Sequence, residues 1–206
     1  MAKFFIGLLL IVISIIALMF MAKDQQSQLA PMPWDVTIMP DGNPTVFAIH
    51  LGSTSYKQAQ EFLHEYGKTA AFTEAEKAST VEAFFDSIHL GGLDAKLVLN
   101  LAVPQHQIDL MLTRAAQARI QPSGARRYDL SNQDNAALIN AKVNAITYIP
   151  SVRLSQDMVT FRFGDPTKIE HDNETDSELW FYPEIGLSVR FKEGEKTILQ
   201  YQMINN

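Results

Sequence analysis

No cysteine occurs among the 206 residues. That absence removes disulfides, thiolate nucleophiles, thiolate metal ligands and a lipid-bearing amino-terminal cysteine in one step. A zinc site would have to be built from histidine and carboxylate. The five histidines, at positions 50, 64, 89, 106 and 171, include no i, i+4 pair of the kind that puts two ligands on one helix face. His50 and His89 fall in expected strands and could share a sheet face, but a hydrogen-bonded structural histidine explains each of them, and no metal or cofactor is expected. Basic charge is also scarce. Fifteen of the seventeen Lys and Arg residues and twenty-two of the twenty-three Asp and Glu residues lie beyond Asp24, a net of −7, which argues against a nucleic-acid partner. Nucleophile and phosphate motifs are missing too. There is no Gly-x-Ser-x-Gly, Gly52-Ser53-Thr54-Ser55 reads as a helix cap, and Gly91-Gly92 lacks the lysine and helix of a phosphate loop. Carboxylate pairs for acid–base work can come from distant positions, but nothing in the sequence spells out a catalytic site, and the expectation is that the protein is not an enzyme.

What the sequence does have is a long apolar run. Residues 4–22 carry no charge and only Ser14 as a polar interruption. As an α-helix they would extend roughly 28 Å, close to the hydrocarbon thickness of a bilayer. The run ends in Leu18, Met19, Phe20 and Met21, bulky where a cleavage site needs small residues, so a retained signal-anchor is expected. The amino terminus and Lys3 point the start of the chain to the cytoplasm. These features predict a single-pass inner-membrane protein: anchor 1–22 in contact with inner-membrane lipid, linker 23–33, and a body in the periplasm of a Gram-negative cell.

Within the body, residues 34–51 alternate as a hairpin around Asp41-Gly42, and Ser55 with Gln58 forms a capping box for a helix through Tyr66. Strands are expected over 70–74, 80–90 and 93–103, the last two joined at Gly91-Gly92, with 74–77 alternatively a helical turn. A helix opened by Pro104 carries Ile108, Met111, Leu112, Ala115 and Ala118 on one face and is ended by Pro122 and Gly124. Ser131 caps a short helix to Lys142, and 145–149 is a strand closed by Pro150. After it, 151–163 has both strand alternation and a helix terminator in Gly164 and Pro166, and the helix reading is preferred. An acidic loop and three strands, 179–182, 187–192 and 197–202, complete the chain. The fold class expected is α+β: an N-terminal transmembrane helix, a mainly antiparallel sheet with two or three helices over 34–150, then a small helix-plus-three-strand meander over 151–206.

Leu154, Met158 and Val159 before Phe163-Gly164-Asp165-Pro166, then Trp180-Phe181-Tyr182 and Leu187-Ser188-Val189-Arg190-Phe191, resemble the BamE/SmpA-type module of outer-membrane assembly lipoproteins. The resemblance spans about 50 residues. It implies a helix ending in a Gly-x-Pro turn packed on a meander, an envelope setting, and contacts with protein or a lipid surface. The lipid-bearing cysteine of that family is absent here, and some 130 residues separate the anchor from the module.

The alternating carboxylates Glu170, Asp172, Glu174, Asp176 and Glu178 lack the central glycine and terminal glutamate of a calcium loop and read as a solvated loop. Arg114, Arg119, Arg126 and Arg127 are the one local basic excess, suited to phosphate or an acidic partner, or simply to a helix end and a strand flank. Arg119, Arg126, Arg127, Trp180 and Tyr182 are the candidate interaction residues. The function expected is a membrane-anchored, non-catalytic binding or scaffolding module with an envelope protein partner. The alternatives are a carrier or sensor of small apolar or lipid ligands, with its pocket between the first sheet and its helices, and a membrane-tethered hydrolase.

Overall fold

The computed structural model describes residues 31–115 and 118–204. Three short strands come first, β1 (Thr37–Ile38), β2 (Pro44–Val46) and β3 (Ile49–His50), forming a small sheet of their own. Helix α1 (Tyr56–Leu63) leads to β4 (Lys68–Thr73), β5 (Thr80–Leu90) and β6 (Leu93–Ala102), then to α2 (Gln105–Arg114). Next are β7 (Arg119–Ile120), β8 (Arg126–Asp129), α3 (Asn132–Ala137) with a following 3-10 turn, and β9 (Lys142–Pro150). Helix α4 (Gln156–Phe163) precedes β10 (Lys168–Asp172), β11 (Ser177–Tyr182), β12 (Leu187–Lys192) and β13 (Ile198–Gln202).

Ten of these strands make one antiparallel sheet in the order β10-β11-β12-β13-β9-β6-β5-β4-β8-β7. β13 pairs with β9, Tyr201 opposite Ile146, so the chain beyond Pro150 rejoins the sheet built by the chain before it. Alternation sets which face is buried. In β6 the inward residues are Ala95, Leu97, Leu99 and Leu101. In β5 the alternation would fail after Phe85, but Asp86 and Ser87 together oppose one residue of β6, and this bulge returns Ile88 and Leu90 to the core.

The core is centred on Tyr148 and Tyr201, both fully buried, with their hydroxyls donating to the Leu90 carbonyl at 3.1 Å and the Pro33 carbonyl at 2.6 Å. Burial pushes Tyr148 up to about 12 and Tyr201 well above the usual phenol range. Phe47 packs against both rings, at 5.0 and 6.5 Å. It sits with Ala48 at positive φ, 54° and 63°, in a second tight turn between β2 and β3. Left-handed backbone costs about 1–2 kcal/mol per non-glycine residue. Burying the Phe47 ring offsets this with about 1.5–3 kcal/mol and its ring contacts with about 0.5–1.5 kcal/mol.

Several expectations need correction. The protein is more strand-rich than the expected α+β arrangement with a transmembrane helix, and its four helices among the described residues are short, α2 being the longest at 10 residues. No helix of the described residues is long and apolar enough to cross a membrane. The span expected at residues 4–22 lies outside the described residues. The single-pass inner-membrane placement, with its signal-anchor and periplasmic body, is therefore withdrawn.

The extra strands have identifiable causes. Pro122 and Gly124, expected to end a helix, instead form the β7–β8 turn, where Gln121 donates to the Ala125 carbonyl at 2.8 Å. α2 has already stopped at Arg114, with Ala115 extended. The acidic run is the β10–β11 hairpin rather than a loop, so the tail meander has four strands. Asp172 holds its turn, accepting from the Glu174 amide at 2.9 Å and the Thr175 hydroxyl at 2.6 Å. In the first hairpin the Asp41-Gly42 turn is present, with Gly42 at φ 85°, but the long second strand is broken by the Phe47-Ala48 turn.

Candidate functional site

Helix α4 carries Met158, Val159, Phe161 and Phe163 in eight residues, more large apolar groups than one buried face accommodates. Ser155 caps its start, accepting from the Met158 amide at 3.2 Å, and Gly164 at φ 82° ends it. One face packs on the meander. Val159 is buried there, the Phe163 ring lies 5.8 Å from Tyr182, and the Tyr182 hydroxyl donates to the Gly164 carbonyl at 3.1 Å.

The other face is left to solvent. Phe161 is 81% exposed and Met158 50% exposed. Trp34 stands opposite, with the Arg162 guanidinium 4.2 Å from the centre of its ring. Between them runs an apolar groove of about 390 Å³, whose charged lining residues are Asp157 and Arg162. Trp34 is placed by the Tyr201 hydroxyl, which fixes the carbonyl of the residue before it. The Pro33 ring also lies over the Gly91 turn, where a Cβ on Gly91 would approach it to 2.9 Å.

A second, polar cleft of about 790 Å³ lies towards the opposite end of the ten-stranded sheet, by β4 and β8. Its charges pair off: Lys68 with Asp86 at 2.8 Å, Arg119 with Asp129, and Arg127 Nε 3.5 Å from the same Asp129 carboxylate. The Arg127 guanidinium also stands 5.3 Å from the centre of the Phe84 ring. Arg114, expected near this group, turns instead to Asp134, a carboxylate only 2% exposed. The Arg114 guanidinium, helped by the Ser131 hydroxyl, holds the Asp134 carboxyl below the usual range.

The five candidate interaction residues are not brought together. Arg119 and Arg127 face each other across β7 and β8, and Arg126 is exposed opposite Ile120. Trp180 and Tyr182 lie on β11, near the other end of the sheet order, and are buried at 7% and 3% exposure. Both are core residues of the meander and offer no contact surface. His50 and His89 do not meet: His50 contacts Asp41 at 3.0 Å and His89 contacts Asp94 at 3.1 Å. Among the described residues no group of His, Asp and Glu is placed to hold a metal ion. Where an apolar ligand was expected, between the sheet and its helices, Leu97, Leu99, Ile146 and Tyr148 are packed in the core, and the cleft bordered by α1, β4 and α3 is the polar one described above.

Sequence reasoning missed Trp34, Phe161 and Arg162 as site residues. The usable signal was the surplus of large apolar side chains in so short a helix. Comparison with known proteins adds no relative: no family model, no curated protein and no solved structure matches the chain.

Proposed function

We propose that the protein is a non-catalytic binding module that docks a partner protein through the groove between α4 and Trp34. The observation that carries this reading is the exposure of Phe161 beside Met158 and the Trp34–Arg162 stack, on a face that nothing in the described chain covers. Exposed aromatics and arginine in one apolar depression are what a contact hot spot consists of. The groove brings together one carboxylate and one guanidinium, with no second acid, base or nucleophile against them, so it is furnished for contact rather than for proton transfer. The resemblance of the tail to the BamE/SmpA-type module, which implies protein contacts, supports the same reading.

Volume alone would also suit a small apolar ligand, since such pockets start at about 300 Å³. A carrier, however, encloses most of its ligand's surface, whereas Phe161 is four-fifths in solvent. That geometry favours a protein segment.

The test is selection of binders from a random peptide library on the full-length protein, followed by affinity measurement on a Phe161→Asp variant. Peptides that use the groove lose about 30-fold or more, the scale of a hot-spot residue. A panel of binders indifferent to Phe161→Asp would reject the groove as the docking site.

A further inference from the structure

Resting on that reading, we infer that the segment seated in the groove is cationic: an apolar anchor followed, about three residues on, by lysine or arginine. At the start of α4 the groove adjoins a second depression. Leu154 forms part of the groove's floor and also lines this depression, of about 360 Å³, at the helix amino terminus. That depression is acidic, with Asp176, Glu178, Glu193 and Glu195 set against Arg153 and Lys192.

Four carboxylates against two basic residues leave half of this charge unanswered, although Glu178 already accepts from Gln156 Nε2 at 3.0 Å and from Trp180 Nε1. Lys192 is 2.7 Å from Glu195, and Arg153 uses its Nε on the Glu195 backbone carbonyl at 2.9 Å. Among the described residues Asp176, 90% exposed, has one ion-pair contact, with His171 at 3.5 Å, and Glu193 has none. A partner with a carboxylate here would meet like charge, whereas one with a lysine or arginine would complete the set. The net charge of −6 over the whole chain acts in the same direction, steering cations towards it.

The spacing follows from the helix. Phe161 and Ser155 are six residues apart, about 9 Å along the axis at 1.5 Å per residue. An extended peptide covers that distance in about three residues. Within the groove itself, Trp34 already carries a guanidinium on its face, that of Arg162, so the apolar end takes an aliphatic or aromatic side chain rather than a second cation.

Three labelled twelve-residue probes test this on the full-length protein by fluorescence anisotropy. Each has a Phe-Leu anchor, followed three residues later by Lys-Arg, Gln-Gln or Glu-Glu. The expected result is that the Lys-Arg probe binds at least about tenfold more tightly than the Glu-Glu probe, with a gap that shrinks in 0.5 M salt. The double variant Asp176→Asn with Glu193→Gln should remove most of that gap and leave the Gln-Gln probe unchanged. Asparagine suits position 176, whose φ is 50°. Equal affinities for all three probes, lost together in Phe161→Asp, would overturn the cationic partner while leaving the groove as a docking site. No binding by any probe would overturn both. Displacement of the probes by dodecanoate, or a Phe161-dependent self-association in sedimentation, would assign the groove to a small apolar ligand or a second copy, and would overturn the inference.

Discussion

Replacing Tyr201 by Phe removes one oxygen from the centre of the protein. Tyr201 is fully buried, and its hydroxyl donates to the Pro33 carbonyl at 2.6 Å, joining β13 to a segment 168 residues away in the chain. The ring remains, so its packing near Phe47 at 6.5 Å is kept and no cavity larger than the lost oxygen opens. What is lost is a hydrogen bond whose acceptor stays behind without its donor. Leaving a buried carbonyl unpaired costs about 1–3 kcal/mol. For a chain of this size each kcal/mol moves the melting temperature by about 2–4 °C, so a fall of about 4–8 °C is expected at the middle of that range. Urea denaturation followed by far-UV circular dichroism measures the free energy, and the slope of the transition should be unchanged because the surface exposed on unfolding is the same. A second readout is local. Pro33 positions Trp34, so the emission of Trp34, recorded in a Trp180→Phe background, should change in Tyr201→Phe. Stability within 0.5 kcal/mol of the parent, together with unaltered emission, would refute the claim that this bond holds the wall of the groove.

Two further substitutions test the fold. Gly186→Ala places a Cβ into the carbonyl oxygen of Gln202 at φ 62° and should cost about 2–4 kcal/mol, while Gly194→Ala, at φ 79° with open space around it, should cost only about 1–2 kcal/mol in the same denaturation assay. Asp134→Asn should flatten the acid limb of the stability curve. The Asp134 carboxyl is held below its ordinary value by Arg114, so its contribution is present above the unfolded value near about 3.9 and is lost as pH falls through the lower folded value. Melting temperatures from pH 6 to pH 2 in parent and variant measure this, and identical slopes would contradict it.

How much was legible in the sequence depended on whether a segment had a buried face. β5 and β6 alternate and end at Gly91-Gly92, and α1 begins with Ser55 and Gln58 in a capping box, so each could be read directly. β10 could not. It is an edge strand whose residues are almost all exposed, held by backbone pairing to β11, and such a strand has no apolar periodicity to detect. Pro122 and Gly124 were ambiguous in kind, because the residues that end a helix also turn a hairpin, and only the partner of β8 across the sheet decides between them. The Phe47-Ala48 turn had no sequence signal, because its left-handed residues are neither glycine nor asparagine and are held there by tertiary packing. As for the site, Trp180 and Tyr182 suited a contact surface and a sheet core equally well, because burial is not encoded in residue type. For the same reason Phe161 was not singled out, and the structure buries Trp180 and Tyr182 while leaving Phe161 in solvent.

The most direct test of the account compares Phe161→Ala with the parent protein in two measurements on the same samples, urea stability and affinity for the Lys-Arg probe. Because Phe161 is 81% exposed, stability should change by no more than about 0.5 kcal/mol, while affinity should fall about 30-fold. A large loss of stability, or an affinity equal to that of the parent, would contradict the claim that this helix face exists to be covered by a partner.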